Sequence, residues 1–261
     1  MQRFHACLTG ESLCINAVSI LWIAMPDSAA LPLYLRTAEA LIRDIAAGRL
    51  RDGERLPPER VMAKALGQSV GTLRKALADL ERKGLLERRE GSGNYVRHRA
   101  EVDSVYAMFR LELIGGGGLP TAEVLSAERQ HGGPELSETR HADFRIRRLR
   151  LLGGQPAAFE EIWLDSARVG PLSAADLTES LYRFYERRLG FAVVRAEDQV
   201  GVGAMPDWAP AQIGLAAGNP CGLVDRTARD ANNTIVEISR TWFDATVARH
   251  VTRMKYPGIS L

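Results

Sequence analysis

The stretch SVGTLRKAL, residues 69–77, sets hydroxyls at Ser69 and Thr72 and cations at Arg74 and Lys75 along a run with amphipathic-helix spacing. Hydroxyls suit phosphate oxygens and arginine suits a guanine edge, so this surface can read a DNA groove; it can equally be an ordinary solvated helix face. Residues for covalent, redox or metal chemistry are not arranged for it. The five histidines are scattered with no HExxH, and there is no G-x-S-x-G or Walker loop. GVGAMP, residues 201–206, puts Pro206 where a dinucleotide fingerprint needs its third glycine, so Gly201 and Gly203 read as strand bulges or close packing. Cys7, Cys14 and Cys221 form neither a CxxC pair nor an even framework, which fits a reducing cytoplasm. No catalytic residue, cofactor or metal is expected.

The elements that must position this helix are legible upstream and downstream. LPLYLRTAEALIRDIAAGRL places Ala38, Leu41, Ile42 and Ile45 at helical spacing and ends at Gly48. RDGERLPPERVMAKALG gives a turn at Asp52-Gly53 and a second helix entered through Pro58 and closed by Gly67. Ser69 then caps a third helix, whose Leu73, Ala76, Leu77 and Leu80 form an apolar stripe and whose stop is Gly84. LLERREGSGNYVRH reads as strand, glycine turn, strand. Three short helices and a hairpin are the parts of a winged helix-turn-helix, whose third helix enters a major groove.

Charge agrees with that division. The chain carries a net charge of only +2, but residues 32–99 hold 15 Lys/Arg against 9 Asp/Glu, or +6, and residues 100–261 hold 18 against 21, or −3. A basic module is joined to a mildly acidic remainder. The remainder alternates apolar and polar residues in strands at 144–152, 157–164, 191–204, 222–230 and 234–243, with a further strand at 249–256. Helices are expected in SLYRFYERRLG and PDWAPAQIGLAAG, and the four glycines 115–118 read as a loose loop. The fold class is therefore α+β, an N-terminal winged helix-turn-helix followed by a mostly antiparallel sheet with helices. LCINAVSILWIAM, residues 13–25, is too short at 13 residues to span a bilayer, and no membrane partner is expected. Its weak n-region argues against a signal peptide, and Met25 is read as the translation start, with residues 1–30 as a tail.

From Pro32 to Val96 the chain resembles the N-terminal domain of GntR-family transcriptional regulators, matching L-P-x-E-R, L-G, T-[VL]-R, L-x-x-x-G-L and G-x-G-x-[FY]-V in order. The resemblance implies double-stranded operator DNA as partner. It places Arg60 at the start of the second helix, Ser69, Thr72 and Arg74 at the groove-entering end of the third, and Gly91, Ser92 and Gly93 at the wing tip. Arg88 and Arg89 at the wing base imply unspecific phosphate attraction. Many relatives have arginine at Val70, threonine or alanine at Gly71 and glutamate at Lys75; Val70 retains the reach for a thymine methyl.

The second part resembles the UTRA effector-binding domain of the HutC subgroup, whose fold is similar to chorismate lyase, through RRLRLLGGQPAAFEEIWL, SLYRFYE and TIVEISRTWF. The resemblance implies effector contacts at Arg148, Arg150, Glu160, Ser180, Tyr182 and Glu237, and a small polar or anionic effector such as a sugar phosphate, an amino-acid derivative or an organic acid. Alternation sets Arg148 and Arg150 on one sheet face, and a three-residue hairpin loop, Gly153 to Gln155, pairs Arg148 with Glu160. Such a pair is also the mark of a structural salt bridge on a solvated face. Phe243 stands where relatives often have tyrosine. Residues 31–98 are expected to bind DNA and residues 99–261 to bind effector and dimerise. The protein reads as a homodimeric repressor on a palindrome; the alternatives are a DNA-binding protein without ligand input and a chorismate-lyase-like enzyme.

Overall fold

The computed structural model describes residues 31–99, 104, 106–138, 140–177 and 180–254. The segment 1–30, with Met25, Cys7 and Cys14, lies outside them. No helix among the described residues is long and apolar enough to cross a membrane.

Helix α1 (Leu33–Ala46) follows Pro32, whose φ of −51° is already helix-compatible, and gives way to Gly48 at φ +74°. Helix α2 (Glu59–Ala65) follows Pro58 and stops before Gly67. In helix α3 (Val70–Arg82) the Thr72 N–H donates to Ser69 Oγ at 3.0 Å, the expected cap. Leu73, Ala76, Leu77 and Leu80 are buried with Leu41, Ile42 and Ile45 of α1 and with Leu85, Leu86 and Val96. Strands β1 (Leu86–Arg89) and β2 (Gly93–Val96) form the wing, which turns through Gly91 and Gly93 at φ +68° and +116°. The N-terminal part is the winged helix-turn-helix the periodicity predicts.

The second part runs β3 (Leu111–Leu113), β4 (Pro120–Arg129), β5 (Glu135–Ser137), β6 (Arg140–His141), β7 (Phe144–Leu152), β8 (Gln155–Leu164), α4 (Ser166–Val169), α5 (Leu181–Phe184), β9 (Arg195–Ala204), β10 (Pro220–Arg229), β11 (Ile235–Phe243) and β12 (Ala248–His250). Six strands form one antiparallel sheet in the order β4-β7-β8-β11-β10-β9, and β3 pairs with β12. One face packs Leu149, Phe159 and Trp242 against Met205, Trp208 and Ile213; the other carries α5.

The structure corrects several local expectations. PDWAPAQIGLAAG forms only a 3₁₀ turn, Ala211–Ile213, because Pro210 opens it and Gly214 at φ +76° closes it. SLYRFYERRLG is one α turn followed by a π-helical turn, Tyr185–Leu189, ending at Gly190. Of RHVTRMKY only Arg249 and His250 are in a strand, and Lys255 and Tyr256 lie outside the described residues. The glycines 115–118 are not a loose loop: Gly116, Gly117 and Gly118 all have positive φ, and a Cβ on Gly118 would stand 3.1 Å from that of Leu152. β9 and β10 pair in continuous register, so Gly203 is a close-packing glycine, with Leu223 beneath it, and not a bulge. The β7–β8 hairpin closes in two residues, Gly153 and Gly154, both at positive φ as two-residue turns require. An extra residue, Ala157, sits between the pairs Arg150–Ala158 and Leu151–Pro156, and this bulge restores the pairing of Arg148 with Glu160.

Candidate ligand cavity and nucleic-acid interface

Register builds the cavity. Arg148 stands opposite Glu160, Glu160 opposite Thr241, and Thr241 opposite Val224; in the neighbouring row Ile162 faces Ser239, Ser239 faces Arg226, and Arg226 faces Asp198. Because side chains alternate along each strand, both rows project to one sheet face. Ser180 and α5 cover part of it and Tyr106–Leu111 closes another side, leaving a cleft of about 700 Å³, including space open to solvent. All six residues expected to contact effector, Arg148, Arg150, Glu160, Ser180, Tyr182 and Glu237, line this one cleft.

The buried groups are tightly cross-bonded. Arg148 Nε donates to Glu160 Oε1 at 2.6 Å, and Arg150 Nη1 lies 3.6 Å from the same oxygen. Glu237 accepts from Tyr185 Oη at 2.8 Å, Ser239 Oγ at 3.1 Å and Tyr182 Oη at 3.2 Å. Arg226 grips Asp198 through two nitrogens at 2.6 and 2.7 Å and donates to the Met108 carbonyl at 2.6 Å. Burial pushes the Glu160 carboxyl up, but the Arg148 and Arg150 charges outweigh it and hold the group below its ordinary value. Glu237 ends above the ordinary value, since burial exceeds what Tyr185 and Arg226 return. Burial brings Arg150 down to about 10, still a cation at neutral pH. Burial and the neighbouring Glu237 raise both Tyr182 and Tyr185, which stay hydroxyl donors.

Arg148 and Glu160 are therefore not a surface salt bridge: the residues are 4% and 7% exposed. Buried ion pairs of this kind stabilise a fold no better than apolar residues of the same volume, so stability alone does not call for a sheet face of this composition. Arg148, Arg150 and Arg226 thus bring three guanidiniums to this sheet face beside the carboxyls of Glu160, Asp198 and Glu237. Arg226, Asp198, His250 and Tyr185 were not found from sequence. Tyr185 is three residues after Tyr182, a helical spacing that puts both hydroxyls on Glu237; the pairing of Asp198 with Arg226 depends on cross-strand register. Phe243 does not line the cleft but lies over Gly222, where a Cβ would meet its ring at 2.2 Å.

On the winged part, Ser69, Gly71 and Arg74 are exposed at the start of α3, Arg60 on α2, and Arg88, Arg89, Gly91 and Gly93 on the wing. Thr72 and Ser92 are half-buried; Thr72 Oγ1 lies 2.9 Å from Ser69 Oγ, and Ser92 Oγ 2.7 Å from Tyr95 Oη. Val70 is half-buried against the core cluster, so only part of its side chain is presented outward. A residue outside the expected set joins these elements: Glu59 accepts from Arg74 Nε at 2.5 Å and lies 3.9 Å from Arg88 Nη2, tying α2 to α3 and the wing. Arg89 donates to Glu87 at 2.8 Å and stacks 4.2 Å over Tyr95. Hydroxyls at a helix N-terminus beside exposed guanidiniums suit phosphate and base edges.

Comparison with known proteins assigns a family to each of the two parts. Residues 33–96 match the family model "Bacterial regulatory proteins, gntR family", and residues 116–249 match that of the UTRA domain. The HTH-type transcriptional regulator SmoD of Agrobacterium fabrum (strain C58 / ATCC 33970) is 51% identical over 227 residues, 86% of this chain and 97% of that protein. The HTH-type transcriptional repressor NagR of Bacillus subtilis (strain 168) is 26% identical over 218 residues, 81% of this chain and 90% of that one. The crystal structure of YydK from Bacillus subtilis shares the fold with a TM-score of 0.50 at 20% identity, covering 86% of this chain and all of that one.

Proposed function

The chain belongs to the gntR family of bacterial regulatory proteins, with a UTRA domain behind its helix-turn-helix, and from that premise we propose how it works as a regulator. It is a transcriptional regulator joining a DNA-binding unit to an effector-binding unit. In this reading it is a repressor of the HutC subgroup, with residues 31–98 on DNA and residues 99–261 holding effector and the partner copy. Two copies place two α3 helices on the half-sites of a palindrome. Arg60, Val70, Arg74 and the backbone at Gly71 approach the groove; Ser69, Thr72, Arg88, Arg89, Gly91, Ser92 and Gly93 serve phosphates and the wing contact. Effector bound in the cleft shifts the population between DNA-competent and incompetent forms, by as much as its affinities for the two differ. No bond is made or broken.

The observation that carries this reading is the convergence of two buried guanidiniums, Arg148 and Arg150, and the half-buried one of Arg226 with the Tyr182 hydroxyl in one open cleft. That set recognises a small metabolite bearing a phosphate or carboxylate on a hydroxylated body. A thermal-shift screen of sugar phosphates, amino-acid derivatives and organic acids, each with its neutral parent, tests it. At least one anion is expected to raise the melting temperature in the native protein and fail to do so in Arg148→Ala. Stabilisation by neutral parents alone, or undiminished in Arg148→Ala, overturns the assignment.

A further inference from the structure

We propose that the ring of Phe109 is the positioning element that couples the cleft to the DNA-binding unit, by contacting Arg150 in the cleft and Arg43 of helix α1 together. The proposal deepens the effector reading above and rests on it for its biological meaning. Its physical content stands on the contacts themselves.

The segment Tyr106–Leu111 does two jobs in the structure. It closes one side of the cleft with Tyr106, Met108 and Phe109. It is also the surface on which α1 rests: Arg43, a buried residue, donates from Nη1 to the Phe109 carbonyl at 3.4 Å and from Nη2 to the Leu111 carbonyl. Ala40 packs with Tyr106 and Leu119, Leu35 and Phe109 join the same cluster, and Ser104 Oγ donates to Glu39 Oε2 at 2.6 Å. Two guanidiniums therefore meet at one ring. The Arg150 Cζ lies 4.4 Å from the Phe109 centroid and the Arg43 Cζ 5.7 Å from it, both within cation–π reach.

This arrangement converts an event at Arg150 into a force on α1. A guanidinium donates in its own plane and attracts a ring through its face, so an anion that takes the in-plane donors of Arg150 reorients the plane over Phe109. Residue 109 carries both the ring facing Arg150 and the carbonyl facing Arg43, so a shift of one displaces the other. α1 is packed on α3 through Leu41, Ile45, Leu73 and Leu77, which carries the displacement to the recognition helix.

The test is a double-mutant cycle read by native-state hydrogen exchange of the α1 amides in the full chain, which reports local opening rather than global unfolding. Arg150→Gln is expected to change α1 exchange several-fold. In a Phe109→Leu background, which keeps apolar bulk without the ring face, the same substitution is expected to change it less than twofold. Phe109→Tyr, which keeps the ring, is expected to retain the Arg150 effect, an outcome a purely space-filling role would not distinguish. Should Arg150→Gln unfold the chain, Arg150→Lys, which keeps the charge and loses the planar fork, replaces it in the cycle. An α1 exchange rate indifferent to Arg150, or an Arg150 effect undiminished in Phe109→Leu, overturns the coupling. The cycle needs neither ligand nor operator, so its failure removes the coupling alone, while an anion screen without a hit removes the effector reading alone.

Discussion

Glu160 and Glu237 share a cleft and are pushed in opposite directions, which separates their roles. Glu160 is held below the ordinary glutamate value of 4.5 because Arg148 and Arg150 outweigh its burial. Its stabilisation is complete above that value and is lost as pH falls through the lowered one. Glu237 is raised by burial, so its contribution is complete below 4.5 and is lost as pH rises through the raised value. Thermal melts between about pH 3 and pH 8 are expected to show Glu160→Gln with a shallower acid-side loss, and Glu237→Gln with a shallower decline toward neutral pH. Identical slopes in Glu237→Gln and the native protein would refute its assignment. Removing one partner of a buried pair costs about 3–5 kcal/mol, so Glu160→Ala should also be among the more destabilising changes in the sheet. Strand alternation made Arg148 and Arg150 legible on one face, with Glu160 joined to them through the hairpin, while Ser180, Tyr182 and Glu237 came from the family resemblance alone. Asp198 and Arg226 were not legible, since their meeting is set by cross-strand register, which no local pattern specifies.

At the scale of elements, local signals succeeded where one residue decides the geometry. Gly48, Gly67 and Gly84, each at positive φ, end their helices where the sequence places the stops, and Ser69 caps α3 through the Thr72 amide. Ser69→Ala is expected to cost about 1 kcal/mol in urea unfolding and, if the proposed DNA reading holds, to weaken operator binding further through the loss of a phosphate contact. Equal losses in stability and binding for Ser69→Ala and an α3 C-terminal control would count against the phosphate role. Local signals failed where several residues trade against one another. PDWAPAQIGLAAG has helical composition, but its prolines and Gly214 leave one turn. The β7–β8 hairpin reached the expected Arg148–Glu160 pairing by another route, a two-residue turn plus a bulge at Ala157, because Gly153 and Gly154 both accept positive φ and close the turn early.

At the scale of the molecule, the contact between the two parts was the least legible feature. On α1, Glu39 and Arg43 lie off the apolar stripe of Ala38, Leu41, Ile42 and Ile45, yet both are buried, Glu39 accepting from Ser104 and Arg43 donating to the Leu111 carbonyl. Amphipathic periodicity describes one buried face per helix and cannot report a second partner on the polar side. That second contact, together with the wall it shares with the cleft, makes a single account of ligand and DNA possible. The proposed function turns on one relation, an anion in the cleft setting operator affinity. Its most direct measurement is fluorescence anisotropy of a labelled duplex from the protein's own upstream region, titrated at fixed salt with and without an anionic hit from the screen. The hit is expected to change the apparent Kd about tenfold or more, within the range of typical coupling energies, and to need at least about tenfold higher concentration in Arg148→Ala. Superimposable dose–response curves for the native protein and Arg148→Ala would show that the cleft does not govern operator binding.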